Sequence, residues 1–371
     1  MSYDLYLALG GSSREDAEAV VRGNYQNTEI IDIATRIRLL AGLAARNQGM
    51  KDYAVSGDRN GGGYKSLVHA SEPKKGRYAK ELVAGECKRL EALGLLKPAA
   101  PDLQRLPLGS WFLHFTFTLA KPWLSRDDDP FYVAESVNPV RKDKAFKVPL
   151  MSAAAWKGLL HWTVMHTRLV LRKDELSDEA FAQGRFRQTL LFGTEKGEEP
   201  GGAKGFAAFL DDLKPGAKKN YRSLVKEHFG LGPDEAEMPH YRGRLSFYPT
   251  FFDLIDVEVI NPHLRKTRAG TRPIYLECVP ATASGAFSLL YVPFDLIGRE
   301  GSQIRKQAAE DLCLVAGGIQ AMMLTYGFSA KRTSGYGAAE DEIRGVLKWR
   351  DDKKLLSSLS KLVEEVGHVT L

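Results

Sequence analysis

Cysteine is scarce. Cys87, Cys278 and Cys313 are far apart and odd in number, which excludes a disulfide framework and a C-x-x-C metal site. That fits a reducing compartment, so a cytoplasmic location is expected. Histidine is sparse as well. The eight residues show no H-x-x-x-H or H-E-x-x-H spacing, and His161 and His166 are five apart, wrong for one helical face, so no zinc site is expected. No run approaches the ~18 apolar residues a membrane helix needs, and Met1 opens no signal peptide; no membrane partner is expected. A mononucleotide P-loop is absent, as is a G-x-G-x-x-G after a strand.

What is present is ordinary in bulk. The 371 residues are 44% hydrophobic and 26% charged, which suits two domains or one large one with insertions. Net charge is +6. So small an excess makes a local basic groove more informative than the total. The most distinctive stretch is Tyr326 to Ala339, where Gly327, Gly335 and Gly337 sit among Lys331, Arg332, Ser334 and Tyr336. Glycine lets a backbone approach a ligand closely. Lys331 and Arg332 could neutralise phosphate, and Tyr336 could stack on a base. The competing reading is a hairpin turn with solvated charges.

Residues 1–108 read as a mainly helical N-terminal region. Leu5 to Leu7 could be a short strand, and Ser12 and Ser13 precede a helix start. Ile30, Ile33, Ala34, Ile37, Leu40 and Ala41 form an amphipathic stripe. Tyr78 to Leu95 is a second helix, followed by a proline-bearing linker at residues 97–101. From Trp111 the texture changes. Trp111 to Leu119 is aromatic and β-branched, hence a strand, followed by the polar loop Ser125-Arg126-Asp127-Asp128-Asp129. Asn138-Pro139-Val140-Arg141-Lys142 and Val148-Pro149-Leu150 come next. A helix then runs from Met151 to about Leu171, with Ser152 as its cap. Residues 172–242 are charged and glycine-rich, with no element assigned. Leu245 to Pro249 reads as a strand, Ile274 to Pro293 as a hairpin, Gln303 to Leu324 as a long helix, and Ile343 to Trp349 as a closing strand. Residues 351–371 read as a C-terminal helix.

That order, taken with Met151-Ser152 ahead of Trp156-Lys157-Gly158 and with the glycine-rich loop, resembles the RAMP superfamily of CRISPR-associated proteins. The resemblance covers residues 109–350, with Met151-Ser152 in place of the family's glycine-serine. It implies an α+β fold: a ferredoxin-like, RNA-recognition-motif-like core with insertions, preceded by the helical region. Two N-terminal helices vaguely resemble the helical small subunit of type III complexes.

The resemblance also implies function. The partners would be CRISPR RNA, target RNA and other CRISPR effector subunits, in a type III effector complex of antiviral defence. Lys157, near a helix start whose dipole favours phosphate, would bind RNA with Ser152, Arg141 and Lys142. Lys331, Arg332, Ser334, Gly335, Tyr336 and Gly337 would grip the same strand from the other side. His263, Arg265, Lys266 and Arg268 fall where backbone subunits carry a thumb-like protrusion. Such subunits also carry an aspartate after the first strand that is associated with metal-dependent target-RNA cleavage. Asp129 lies nearest that position, beside Asp128 and Asp127, and would hold Mg²⁺ as an endoribonuclease's metal ligand; a solvated acidic turn is the other reading. Two alternatives are a non-catalytic capping subunit and a metal-independent CRISPR RNA processing ribonuclease, for which His114, His161 and His263 are the acid–base candidates.

Overall fold

A capping box starts the first helix. In the computed structural model, which describes residues 13–25, 27–51, 53, 63–69, 76–126, 137–194, 205–232, 240–261, 274–369 and 371, Arg14–Arg22 (α1) is capped by Ser13, whose hydroxyl accepts from the Asp16 amide while the Asp16 carboxylate accepts from the Ser13 amide. A small hairpin follows, Asn24–Tyr25 (β1) with Thr28–Glu29 (β2). Ile33–Arg46 (α2) is capped by Asp32, and its stripe of Ile33, Ile37 and Leu40 is buried as the spacing predicts. Tyr64–Val68 (α3) and a π turn at Tyr78–Val83 leading into Ala84–Ala92 (α4) complete the region. It does not stand apart: Val20, Leu40, Tyr78 and Leu90 belong to the same buried cluster as Phe115, Trp156 and Ile319.

Alternation sets the central strand, Trp111–Thr118 (β3). Trp111, Leu113, Phe115 and Phe117 point to one face and are buried, while His114, Thr116 and Thr118 lie on the other, as a period of two requires. The chain continues through Val137–Asn138 (β4), Leu150–Met151 (β5), Ala153–Met165 (α5), Asp178–Phe192 (α6), Gly205–Leu213 (α7) and Ala217–Phe229 (α8). Leu245–Phe247 (β6), Thr250–Phe251 (β7), Asp256–Ile260 (β8), Ile274–Cys278 (β9) and Ser284–Tyr291 (β10) follow. The last elements are Gly301–Ala321 (α9), Glu342–Trp349 (β11), Asp352–Ser358 (β12) and Leu362–Gly367 (α10). The main sheet has five strands in the order β12-β11-β3-β10-β6, all antiparallel. Without β12, the order is fourth, first, third, second, with α5 and α9 as the two crossovers. That is the ferredoxin-like βαββαβ arrangement, an α+β fold, and it holds the expected core.

Both crossover helices cover the same face. Phe115 stacks on Phe287 at 5.2 Å, and Trp156 meets Phe287 edge-on at 5.0 Å. Burying such a ring contributes about 1.5–3 kcal/mol. Trp156 is therefore a core residue, its indole N–H donating to the Thr250 hydroxyl at 2.9 Å. The helices approach closely at Gly318, where a Cβ would stand 2.5 Å from Val164. By length and composition Gly301–Tyr326 could cross a membrane, contrary to the expectation that no run is long and apolar enough. Here it is a core helix carrying a buried carboxylate at its middle. Asp311 accepts from Arg187 (2.8 Å), Arg244 (2.7 Å), Tyr291 (2.8 Å) and Gln307 (3.0 Å). Arg244 also holds Asp295 through two nitrogens, at 2.9 and 2.5 Å.

Three expectations need correction. Ile274–Cys278 and Ser284–Tyr291 do not form a hairpin: the first pairs with β8, the second with β3 and β6, in a different sheet. The segment 351–371 is not a helix throughout. Asp352–Ser358 pairs with β11 across a two-residue turn, from Trp349 opposite Asp352, and only Leu362–Gly367 is helical. Adjacent Leu355 and Leu356 mimic a helical stripe, but one is 76% exposed and the other 3%, the alternation of a strand. The turn bends at Arg350 with φ 45, a left-handed conformation for which glycine or asparagine is the usual signal. The stretch 172–242 is also more ordered than its composition suggests: α6, α7 and α8 pack their own apolar cluster around Phe181, Leu210 and Tyr221.

Candidate nucleic-acid interface

The glycine-rich loop has a fixed base and an exposed tip. The long helix ends in a π turn, Met322–Tyr326, and Gly327 leaves it at φ 74. Gly327 and Gly337 bring two backbones together: a Cβ at Gly327 would lie 2.7 Å from the Tyr336 carbonyl, and one at Gly337 would collide with Ser329. Phe328 donates to the Gly337 carbonyl at 2.9 Å. The base is then tied to the chain leaving β3. Gly337 donates to Pro122, Ala330 to Leu124, and Leu124 to the Ser329 hydroxyl, at 2.8, 2.9 and 2.7 Å. The Trp123 indole donates to the Phe328 carbonyl at 3.0 Å. These two glycines thus serve packing. Only Gly335, at φ 82 with open space at its Cβ, belongs to the tip, where Lys331, Thr333, Ser334 and Gly335 are all exposed.

Arg332 differs from Lys331. Its guanidinium lies 4.4 Å over the Trp162 ring, and Trp162 stacks on His166 at 4.9 Å and 7°. Tyr326 meets both rings edge-on, at 5.4 and 5.3 Å. Arg332 Nη1 is buried with no hydrogen-bond partner among the described residues. Burial pulls its pKa below the ordinary guanidinium value.

The loop lies where the acidic segment begins. Leu124, bonded to Ala330, is followed by Ser125, whose hydroxyl accepts from the Arg141 amide at 3.3 Å. Arg126 is the last described residue before the segment and Arg141 is exposed. Asp127, Asp128 and Asp129 lie outside the described residues, as do His263, Arg265, Lys266 and Arg268. Lys157 is half-buried on the first turns of α5, and Ser152 caps that helix by accepting from the Ala155 amide at 3.2 Å. The same helix reaches the loop through Trp156 on Phe328, 5.1 Å apart. Tyr336 is half-buried and its hydroxyl donates to Glu258 at 3.3 Å. Burial and the Glu258 carboxylate push its phenol above the ordinary value.

Lys142 is not at this surface, contrary to expectation. It is buried against Glu277, its ammonium donating to that carboxylate and, at 3.2 Å, to the Val140 carbonyl. Burial pushes Glu277 well above the usual carboxylate range, opposed by one bond from the Val140 amide. A lysine spent on an interior carboxylate cannot meet a phosphate. Of the three histidines proposed for acid–base chemistry, His114 and His161 are also held elsewhere, and His263 lies outside the described residues. His114 shares a 2.7 Å hydrogen bond with Ser288 on the sheet face away from the helices. His161 stacks on Phe192 at 4.6 Å, and burial, helped by Lys157, pushes it down to about 4. The two lie on opposite sides of the sheet and do not form a pair.

No family model matches the chain, and no curated protein matches it. Its neighbours among solved structures are subunits of CRISPR effector complexes. A chain of the type III-B Cmr-beta complex bound to cognate target RNA is similar at 11% identity and a TM-score of 0.42, over 93% of this chain and 99% of that one. A chain of the Csm3–Csm4 subcomplex of the type III-A interference complex is similar at 13% and 0.32, over 71% and 98%. A chain of a CRISPR RNA-guided surveillance complex, pre-nicking, is similar at 13% and 0.33, over 64% and 78%. Likeness at this level carries no argument about activity, and the fold rests on the strand order and register above.

Proposed function

We propose that the chain is a CRISPR RNA-binding backbone subunit of a type III effector complex acting in antiviral defence. One observation carries this reading: the glycine-rich loop, placed between the second crossover helix and the fourth core strand, is locked at its base to the exit of the first strand and offers a basic tip. A rigid base with exposed Lys331 beside Arg126 and Arg141 suits a polyanion, because each cation that neutralises a phosphate releases counterions. Lys157, near the capped start of α5, adds a charge where the helix dipole already favours phosphate. The experiment is filter binding of CRISPR RNA by the wild type and by Lys331→Ala, read as salt dependence. Wild-type binding that fails to weaken with salt counts against the reading.

The finer half of the proposal is cleavage of target RNA. Asp129, with Asp128 and Asp127, would hold Mg²⁺, which when bound supplies charge neutralisation at the scissile phosphate. Among the described residues no group of three or more His, Cys, Asp or Glu is placed to hold a metal ion, and the acidic segment lies outside them. In the assembled complex with complementary RNA and Mg²⁺, Asp129→Ala should abolish cleavage and leave guide binding intact. Cleavage surviving substitution of all three aspartates, singly and together, would leave a binding subunit only.

A further inference from the structure

The Arg332 side chain has the surroundings of a stacking group. The rings of His166 and Trp162 are nearly parallel, and the Arg332 guanidinium lies over the Trp162 ring, 4.4 Å from its centroid. Tyr326, perpendicular to both rings, braces the pile from the side. Both helices that supply these rings break their α-helical pattern here. His166 opens the π turn His166–Val170, and Tyr326 closes the π turn Met322–Tyr326. A π turn adds a residue to a helical turn and re-aims the side chains after it, and such turns are frequent at functional sites. Two of them meeting at one cluster is a costly way to hold a loop.

We infer that Arg332, backed by Trp162 and His166, forms a preformed platform that receives one unpaired nucleobase of the bound RNA on its guanidinium. This rests on the RNA-binding reading and deepens it. Lys331 and Arg332, adjacent in sequence, then have different tasks: Lys331 neutralises a phosphate, while Arg332 stacks. Arginine planes carry single-stranded bases in this way, and since every base has a π-face the contact is tolerant of sequence.

The test compares two single-stranded RNAs of equal length and phosphate number, one oligoadenylate and one built of abasic nucleotides, against the full chain. Arg332→Lys keeps the charge and loses the plane. It should weaken oligoadenylate binding about tenfold, the order of one base-stacking contact, leave abasic-strand binding unchanged, and leave the salt slope for both unaltered. Trp162→Leu, which removes the support beneath the guanidinium, should show the same selective loss. If Arg332 only clamps the loop, both variants will weaken the two strands equally, and the inference falls. It falls as well if the variants bind oligoadenylate as the wild type does while Lys331→Ala still lowers the salt slope, an outcome that leaves RNA binding itself standing. Absence of wild-type binding to either strand overturns both readings together.

Discussion

Two groups of cations on this chain have opposite surroundings. Arg244 and Lys142 are inside, each side chain 1% exposed and held by carboxylates. Lys331 and Arg141 are outside, on or beside the glycine-rich loop. A charge taken from water must be paired and hydrogen-bonded, so the interior cations report the architecture. Lys331, exposed at the tip of the loop, makes no ion pair among the described residues. Sequence shows the two kinds as the same letters, and burial separates them.

Breaking the interior group should have the largest effect. Asp311→Ala strands Arg244, Tyr291 and Gln307 around a missing acceptor and should cost about 3–5 kcal/mol, read as a shift of the urea midpoint. An unchanged midpoint would mean that the network is not what joins α9 to β6 and β10. His161 gives a second handle. Its folded pKa of about 4 lies below its ordinary 6.5, so the unfolded chain binds the proton more readily. The stability this contributes is complete above about pH 6.5 and is lost as pH falls from there towards 4, by at most about 3 kcal/mol. His161→Phe should flatten that part of the stability–pH curve; an unchanged curve would place the acid sensitivity elsewhere. Lys142→Met should cost about 2 kcal/mol, since Glu277 can take a proton once its partner is gone, and should leave RNA affinity as it was. Adding Glu277→Leu should restore most of the midpoint. Loss of RNA affinity in a folded Lys142→Met protein would return this residue to the interface.

The contrast also explains what the sequence made legible. The central strand was readable because Trp111 to Thr118 alternates without interruption, and α9 because its apolar residues keep a helical period. The loop was readable as a basic, glycine-bearing segment. What each glycine does was not: Gly327 and Gly337 let the two arms of the loop meet, and the base so formed is bonded to residues about 200 positions earlier in the chain (Leu124 with Ser329 is 205 apart). The burial of Lys142 was hidden for the same reason, its partner Glu277 being 135 residues away. Arg332 looked like a phosphate ligand until Trp162 was seen beneath it. The closing strand β12 was misread because Arg350 makes a left-handed turn without glycine, and Leu355 with Leu356 imitates a helix. The ferredoxin-like order itself became visible only through pairing, since a strand as short as Leu245–Phe247 gains its place from β10 and not from its own residues.

Lys331 should show the smallest effect on stability and the cleanest effect on binding. Lys331→Ala touches no ion pair among the described residues and should leave the urea midpoint within about 0.5 kcal/mol. The decisive measurement is the slope of log affinity for CRISPR RNA against log salt, between about 50 and 200 mM, for the wild type and this variant. The account predicts a clear negative wild-type slope that becomes shallower by about one in Lys331→Ala. Identical slopes, or wild-type affinity that does not respond to salt, would contradict the claim that this loop holds an RNA backbone.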